Sequence, residues 1–340
     1  MEVGGAGSPA ADGYNRPMVS QLVSLSDITD ARLRIAPIAR VTPLLDGSAA
    51  AGRPLFLKCE NMQPGGAFKI RGAYNMVARL TDEQRRRGVV TYSSGNHGQA
   101  MALAARELGA PAVVVMPTTA PSIKVEGARA FGAEVIFEGT TSPERKARAE
   151  AEVAARGLTM VPPFDHEWII AGQGTLGLEI LEQCPDVAAV VVPIGGGGLA
   201  AGVAAAIKQT RPSVKVIGVE PTGAAKMRAS LDAGHPVTLP STSTIADGLM
   251  PVRPGDLTFD HISRFADDVV TVSDEAIVEA VLWAFNRAKI VAEPSGAASL
   301  AAVLTGAVDA HGRIEGPIVA VVSGGNVAPE RLAEWLVRRA

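Results

Sequence analysis

Cysteine is nearly missing from this chain: Cys59 and Cys184 stand far apart and outside any metal-like spacing. That excludes a disulfide framework and points to reduced, buried thiols in a cytoplasmic protein. No apolar run approaches the roughly 20 residues that span a bilayer. Neither charge dominates, with 32 Lys and Arg against 35 Asp and Glu, a net of −3. Nucleic acid and membrane are therefore not expected partners, and Arg85-Arg86-Arg87 reads as the solvated end of a short helix. The first seventeen residues carry one basic residue, Arg16, and lack the apolar core of a signal peptide. Met1–Pro17 reads as a disordered leader.

The 340 residues are 47% hydrophobic, enough for about two domains with sizeable cores. A helix opens near Ser26 or Thr29 as its cap. Leu55–Cys59 reads as a strand, and from there apolar strand runs and amphipathic helices alternate to the end of the chain. Expected strands are 89–93, 112–116, 135–137, 188–193, 215–220, 268–272 and 318–322. Expected helices include 68–80, 98–108, 122–131, 143–156, 174–183, 199–210, 225–233, 274–288, 295–304 and 328–338. Such alternation predicts an α/β fold with parallel sheet covered on both faces. The expected organisation is a large domain from 18–87 and 164–340 with a small domain, 88–163, inserted into it. No regulatory module is expected after Ala340.

Four stretches carry the chemistry. Gly65-Gly66-Ala67-Phe68-Lys69 places a lysine among small and apolar neighbours, with no acidic residue within eight positions. Desolvation disfavours its ammonium and frees a neutral amine for Schiff-base chemistry; a surface lysine at a helix start is the plain alternative. Ser93-Ser94-Gly95-Asn96-His97-Gly98-Gln99 follows a strand and opens a helix, a seat for a carboxylate; ordinary capping is its alternative. Gly195-Gly196-Gly197-Gly198-Leu199 offers backbone donors to a phosphate. With Glu220 at the next strand end it also imitates a dinucleotide site, although the glycine spacing misses G-x-G-x-x-G. Ser323-Gly324-Gly325-Asn326 supplies a neutral hydroxyl at a further strand end.

An imine-forming lysine, a phosphate cradle, an amide, a serine and a carboxylate seat together describe a pyridoxal 5'-phosphate site. In these motifs, and in Ala171–Thr175, Ile245–Leu249 and Glu293-Pro294-Ser295-Gly296, the sequence resembles the fold-type-II pyridoxal phosphate enzymes, in the threonine/serine dehydratase and serine racemase branch. The resemblance runs from about Ile28 to the C-terminus and implies a tryptophan synthase β-like fold. It implies that Lys69 holds the cofactor as an aldimine and then serves as the base at Cα. Phe68 would pack on the ring, Asn96 would bond its hydroxyl, and Ser323 would meet its nitrogen. Gly195, Gly196, Gly197, Gly198 and Leu199 would bind the phosphate. Ser93, Ser94, Asn96 and His97 would hold the substrate carboxylate, and Ser94 is the candidate second proton carrier of a racemase.

The implied activity is dehydration of a small β-hydroxy amino acid, threonine or serine, to a 2-oxo acid and ammonia. Serine racemisation, or dehydration of phenylserine, hydroxyaspartate or a hydroxyectoine-derived amino acid, is the alternative within the fold. A non-catalytic phosphate-ligand or dinucleotide binder is the alternative outside it. A homodimer is expected. Two positions depart from the family. Ala67 replaces a serine, and Lys226 stands where relatives place an aspartate at a cation site with Glu220 and Ala224. Its ammonium is expected to pair with Glu220 in place of a metal, the alternative being a lysine in solvent. Arg145 is expected to be a solvated helix residue.

Overall fold

A computed structural model describes residues 22–337 apart from Ser94 and Pro121, so the leader reading of Met1–Pro17 falls outside it. Among the described residues, ten strands build two sheets. β1 (Leu44–Asp46), β2 (Leu55–Cys59), β7 (Ala189–Pro193), β8 (Lys215–Pro221), β9 (Asp268–Val272) and β10 (Ile318–Val322) form the larger, in the order β1-β2-β10-β7-β8-β9. All neighbours in it are parallel except β1, which runs antiparallel to β2. β3 (Val89–Tyr92), β4 (Ala112–Met116), β5 (Glu134–Phe137) and β6 (Thr159–Met160) form the smaller, all parallel, in the order β5-β4-β3-β6.

Alternation along each strand explains why the larger sheet is covered on both sides. Val190, Val192, Val216, Val319 and Val321 share one face with the helices Glu167–Gln183 and Gly198–Thr210. Ala189, Val191, Ile217, Ala320 and Val322 share the other with the helices Asp274–Trp283 and Pro294–Leu304. Neighbouring residues on a strand point to opposite faces, so near-continuous apolar runs must be buried twice.

The structure departs from the sequence expectations in two added strands, β1 and β6, and in several helices. The first helix, Leu25–Ile35, is capped by Ser24, with Asp27 closing a capping box; Ser26 and Thr29 lie inside it. The helix expected from Gly174 begins at Glu167, because Gly172 and Gly174 are contact surfaces and not breakers. A Cβ on Gly172 would lie 2.6 Å from Gly72 Cα, and one on Gly202 2.3 Å from Ile170 O, so three helices touch backbone to backbone. The helix from Asp274 ends in one π-turn, Ala284–Ala288, closed by Lys289 at φ 59°. Finally, a helix at Asp256–Phe265 was not expected after residues 235–254, an irregular stretch rich in Pro, Ser and Thr.

Candidate active site

Lys69 opens the helix Lys69–Ala78 directly behind a tight loop. Gly65 and Gly66 have φ of 79° and 74°, and a Cβ on Gly66 would lie 2.2 Å from Asn326 Oδ1, so glycine is required there. The loop is stitched to the end of β10: Phe68 N–H donates to Ser323 O at 3.0 Å and Gly325 N–H to Gly66 O at 2.9 Å. Lys69 Nζ donates to Pro163 O at 2.7 Å and lies 5.1 Å from the Phe68 ring centroid. Burial lowers its pKa to about 8, far below an ordinary lysine.

Two residues on, Arg71 is fully enclosed by partners. Its Nε and Nη2 donate to Glu60 at 2.7 and 2.9 Å, and its Nη1 and Nη2 to Glu179 at 2.7 and 2.9 Å. Lys58 Nζ donates to the same Glu179 at 2.7 Å, to Gln183 Oε1 at 2.7 Å and to Thr42 O at 2.9 Å. Two cations and two anions, all buried, thus anchor the lysine helix to β2 and to the helix Glu167–Gln183. Burial opposes the charge on Arg71, but the two carboxylates outweigh it and raise its pKa. Arg71 is therefore occupied and not open to a substrate carboxylate.

Asn96, at the start of the helix Asn96–Glu107, joins the Ser93–Gln99 stretch to the Ser323–Asn326 stretch. Its Nδ2 donates to Glu293 Oε1 at 2.6 Å, and its Oδ1 accepts from Asn326 Nδ2 at 2.8 Å. Burial, with the Asp247 carboxylate adding to it, raises Glu293 to about 8. Asp247 itself pairs with Lys124. His97 is 2% exposed; burial, then the nearby Lys69 charge, depresses its pKa to about 3. The ring is neutral, Nε2 lies 3.0 Å from Val161 O, and Nδ1 has no partner among the described residues. With the ring's single N–H spent on Val161, a carboxylate at this corner meets main-chain N–H groups and not the imidazole. Ser93 Oγ accepts from Gly95 N–H at 3.3 Å. Ser94 lies outside the described residues.

The glycine turn, 195–199, packs against the loop and helix start that lead to Ser323. Gly195 touches the loop carrying Asp247, since a Cβ on it would lie 2.7 Å from Gly248 O. Gly248 N–H donates to Ser295 Oγ at 2.9 Å, and Ser323 Oγ to Ser295 O at 3.5 Å. The Phe164 ring lies against Gly196, where a Cβ would come within 2.2 Å of it. The N–H groups of residues 195–199, buried except at Gly195, donate to no acceptor among the described residues. Buried donors are almost always paired. A row of free ones at a helix N-terminus fits a phosphate bound there, and the adjoining desolvated amine fits its aldehyde.

Behind the turn, Lys226 Nζ is completely buried and bonds four oxygens: Glu220 Oε1 at 2.9 Å, Ile194 O at 3.0 Å, and Ala224 O and Leu249 O at 3.1 Å. The solvent-facing alternative for Lys226 is thereby excluded. Glu220 also accepts the N–H groups of Met227 and Arg228, each at 2.9 Å. Enclosed by these partners, it cannot serve a ribose, and the dinucleotide reading falls. Arg145 is not solvated as expected. It is 9% exposed and folds back on its own helix start, onto Thr140 O and Ser142 Oγ.

A desolvated lysine, linked through Pro163 and Phe164 to buried, unpaired N–H donors, fits a class of enzymes: those that tether a phosphate-bearing aldehyde to a lysine. Residues 35–324 match the sequence profile of the family described as pyridoxal-phosphate dependent enzyme. The chain belongs to that family, with the type-II fold and pyridoxal phosphate as its cofactor, in the branch of threonine dehydratases and serine racemases. It is 44% identical to the L-threonine ammonia-lyase of Thermotoga maritima over 309 residues, 90% of this chain and 76% of that protein. It is 40% identical to the serine racemase of Oryza sativa subsp. indica over 341 residues, 99% of each. The solved maize serine racemase superposes with a TM-score of 0.88 at 41% identity, covering 94% of this chain and 98% of that one.

Proposed function

We propose that this enzyme dehydrates a β-hydroxy amino acid, threonine or serine foremost, to a 2-oxo acid and ammonia. The observation that carries the reading is Lys69: a half-buried amine, bonded to a carbonyl and not to a carboxylate, with its pKa lowered to about 8. When bound, pyridoxal phosphate supplies an aldehyde that condenses with amines and a ring that withdraws electrons from Cα. Lys69 is assigned as the cofactor's attachment point and as the base that takes the Cα proton onto Nζ; a pKa near the working pH suits both tasks. Asn96 is assigned to the ring hydroxyl, Phe68 to the ring face, and the N–H groups of 195–199 to the phosphate. Ser323 is assigned to the ring nitrogen. A hydroxyl stabilises a protonated ring less than a carboxylate would, which leaves electron density at Cα and favours departure of the β-hydroxyl over transamination. Ser93 and the main-chain N–H groups of Asn96 and His97 hold and orient the substrate carboxylate; Gly98 N–H is spent on Gly95 O at 3.0 Å.

A 2-oxo-acid assay over a panel of β-hydroxy amino acids tests the reading. Threonine or serine should be turned over by the wild type and not by Lys69→Ala. Retained turnover in that variant, or no product from any member of the panel, overturns it. Serine racemisation is the second reading, favoured by the similarity to the rice enzyme along nearly the whole of both chains. L-serine in deuterated water gives deuterated D-serine if it holds. A cytoplasmic homodimer is the proposed setting, and sedimentation measures the assembly.

A further inference from the structure

The glycine turn does not hold its own shape. Gly196 O accepts the Thr258 hydroxyl at 2.7 Å and Gly255 N–H at 3.3 Å, both from the start of the helix Asp256–Phe265. In a trans peptide the C=O and the following N–H point in opposite directions. Fixing Gly196 O on that helix therefore turns Gly197 N–H away from it, among the free donors of the turn. Gly197 itself has φ 103°, and a Cβ there would lie 2.7 Å from Thr258 Oγ1, so hydroxyl and turn fit closely.

The helix start is held in turn by Asp165, whose Oδ2 accepts from Asp256 N–H and Oδ1 from Thr258 N–H, each at 3.1 Å. Gly255 has no room for a side chain beneath that carboxylate, since a Cβ would lie 2.2 Å from Asp165 Cγ. Asp165 ends a three-residue strap: Pro163 O holds Lys69 Nζ, Phe164 covers Gly196, and Asp165 caps the helix. The strap thus joins the amine end of the site to its phosphate end.

We propose that Thr258 and Asp165 are positioning residues for the cofactor phosphate: Asp165 fixes the helix start, and Thr258 fixes the Gly196 peptide so that the donors of the turn converge. This rests on the assignment of residues 195–199 to the phosphate. Equilibrium dialysis of pyridoxal phosphate and of pyridoxal, which lacks the phosphate, tests it on the wild type, Thr258→Val, Thr258→Ser and Asp165→Asn. The wild type should retain pyridoxal phosphate far better than pyridoxal. Thr258→Val should weaken pyridoxal phosphate about tenfold, the scale of one well-placed hydrogen bond, and leave pyridoxal unchanged. Thr258→Ser should restore the affinity, and Asp165→Asn, which keeps the shape and removes one acceptor, should fall between. Equal loss of both ligands, as a misfolded variant also gives, or unchanged pyridoxal phosphate affinity overturns the proposal. A wild type that binds the two ligands equally overturns the phosphate assignment beneath it.

Discussion

Lys69 and Arg71 stand two residues apart on one helix, both withdrawn from water, and the protein treats them in opposite ways. Arg71 is held by two carboxylates, a threonine hydroxyl and a carbonyl, in a cluster whose four charges cancel. Lys69 has one carbonyl. Pairing fixes a buried charge over the whole accessible pH range, whereas burial without a counter-charge makes protonation negotiable near neutrality. One turn of helix thus presents a rigid anchor on one side and a titratable amine on the other.

The comparison breaks most visibly at the anchor. Arg71→Met should leave Glu60 and Glu179 with one cation between them and cost about 3–5 kcal/mol of stability, read from urea midpoints. A loss below about 1 kcal/mol would show that the cluster anchors nothing. At the candidate active site the sign reverses. Glu293 keeps its proton to about 8 when folded but loses it near 4.5 when unfolded, so the folded state binds more protons between those values. Stability of the cofactor-free protein should therefore fall as pH rises through that window. Glu293→Gln should remove the fall and gain about 4 kcal/mol at pH 8, with little change at pH 4; a parallel pH profile in both proteins would sink this.

Lys69 acts in the other window. Its folded pKa near 8 lies below the unfolded 10.5, so the unfolded chain binds more protons between them and stability rises with pH there. Lys69→Met should stabilise the cofactor-free protein by about 2 kcal/mol at pH 7, after allowance for its partial exposure. The gain should vanish above pH 10.5, and thermal melts across the range decide it. The smallest expected effect is none: with the Lys226 ammonium seated on four oxygens, a chelator should leave activity unchanged. Inactivation reversed by magnesium would show that a metal, and not Lys226, completes the site.

The sequence revealed the cleft side of this comparison but not the anchor. Lys69, the glycine turn and Ser323 announce themselves because each depends on its immediate neighbours: small residues, a strand before and, for the turn, a helix after. The pairing of Lys226 with Glu220 was also legible, six residues apart on one strand-to-helix connection. The Arg71 cluster was not, since Lys58, Glu60, Arg71 and Glu179 meet only when β2 and two helices pack together. Gly172 and Gly174 misled for the same reason, their role being set by helices that press against them. The helix Asp256–Phe265 was hidden behind Pro251 and Pro254, and with it the contact of Thr258 on Gly196. Local chemistry is written locally, while its supports are distributed.

The strand order has a consequence for how the protein is made. β10 lies between β2 and β7, with Val319 opposite Phe56 on one side and Val190 on the other. On a translating ribosome the larger sheet therefore stays open at its centre until β10 has emerged, while the smaller sheet, complete by Met160, has all its strands earlier. The nascent chain must keep two apolar strand edges apart until β10 is made, and only then does the loop bearing Lys69 reach its partner at Ser323.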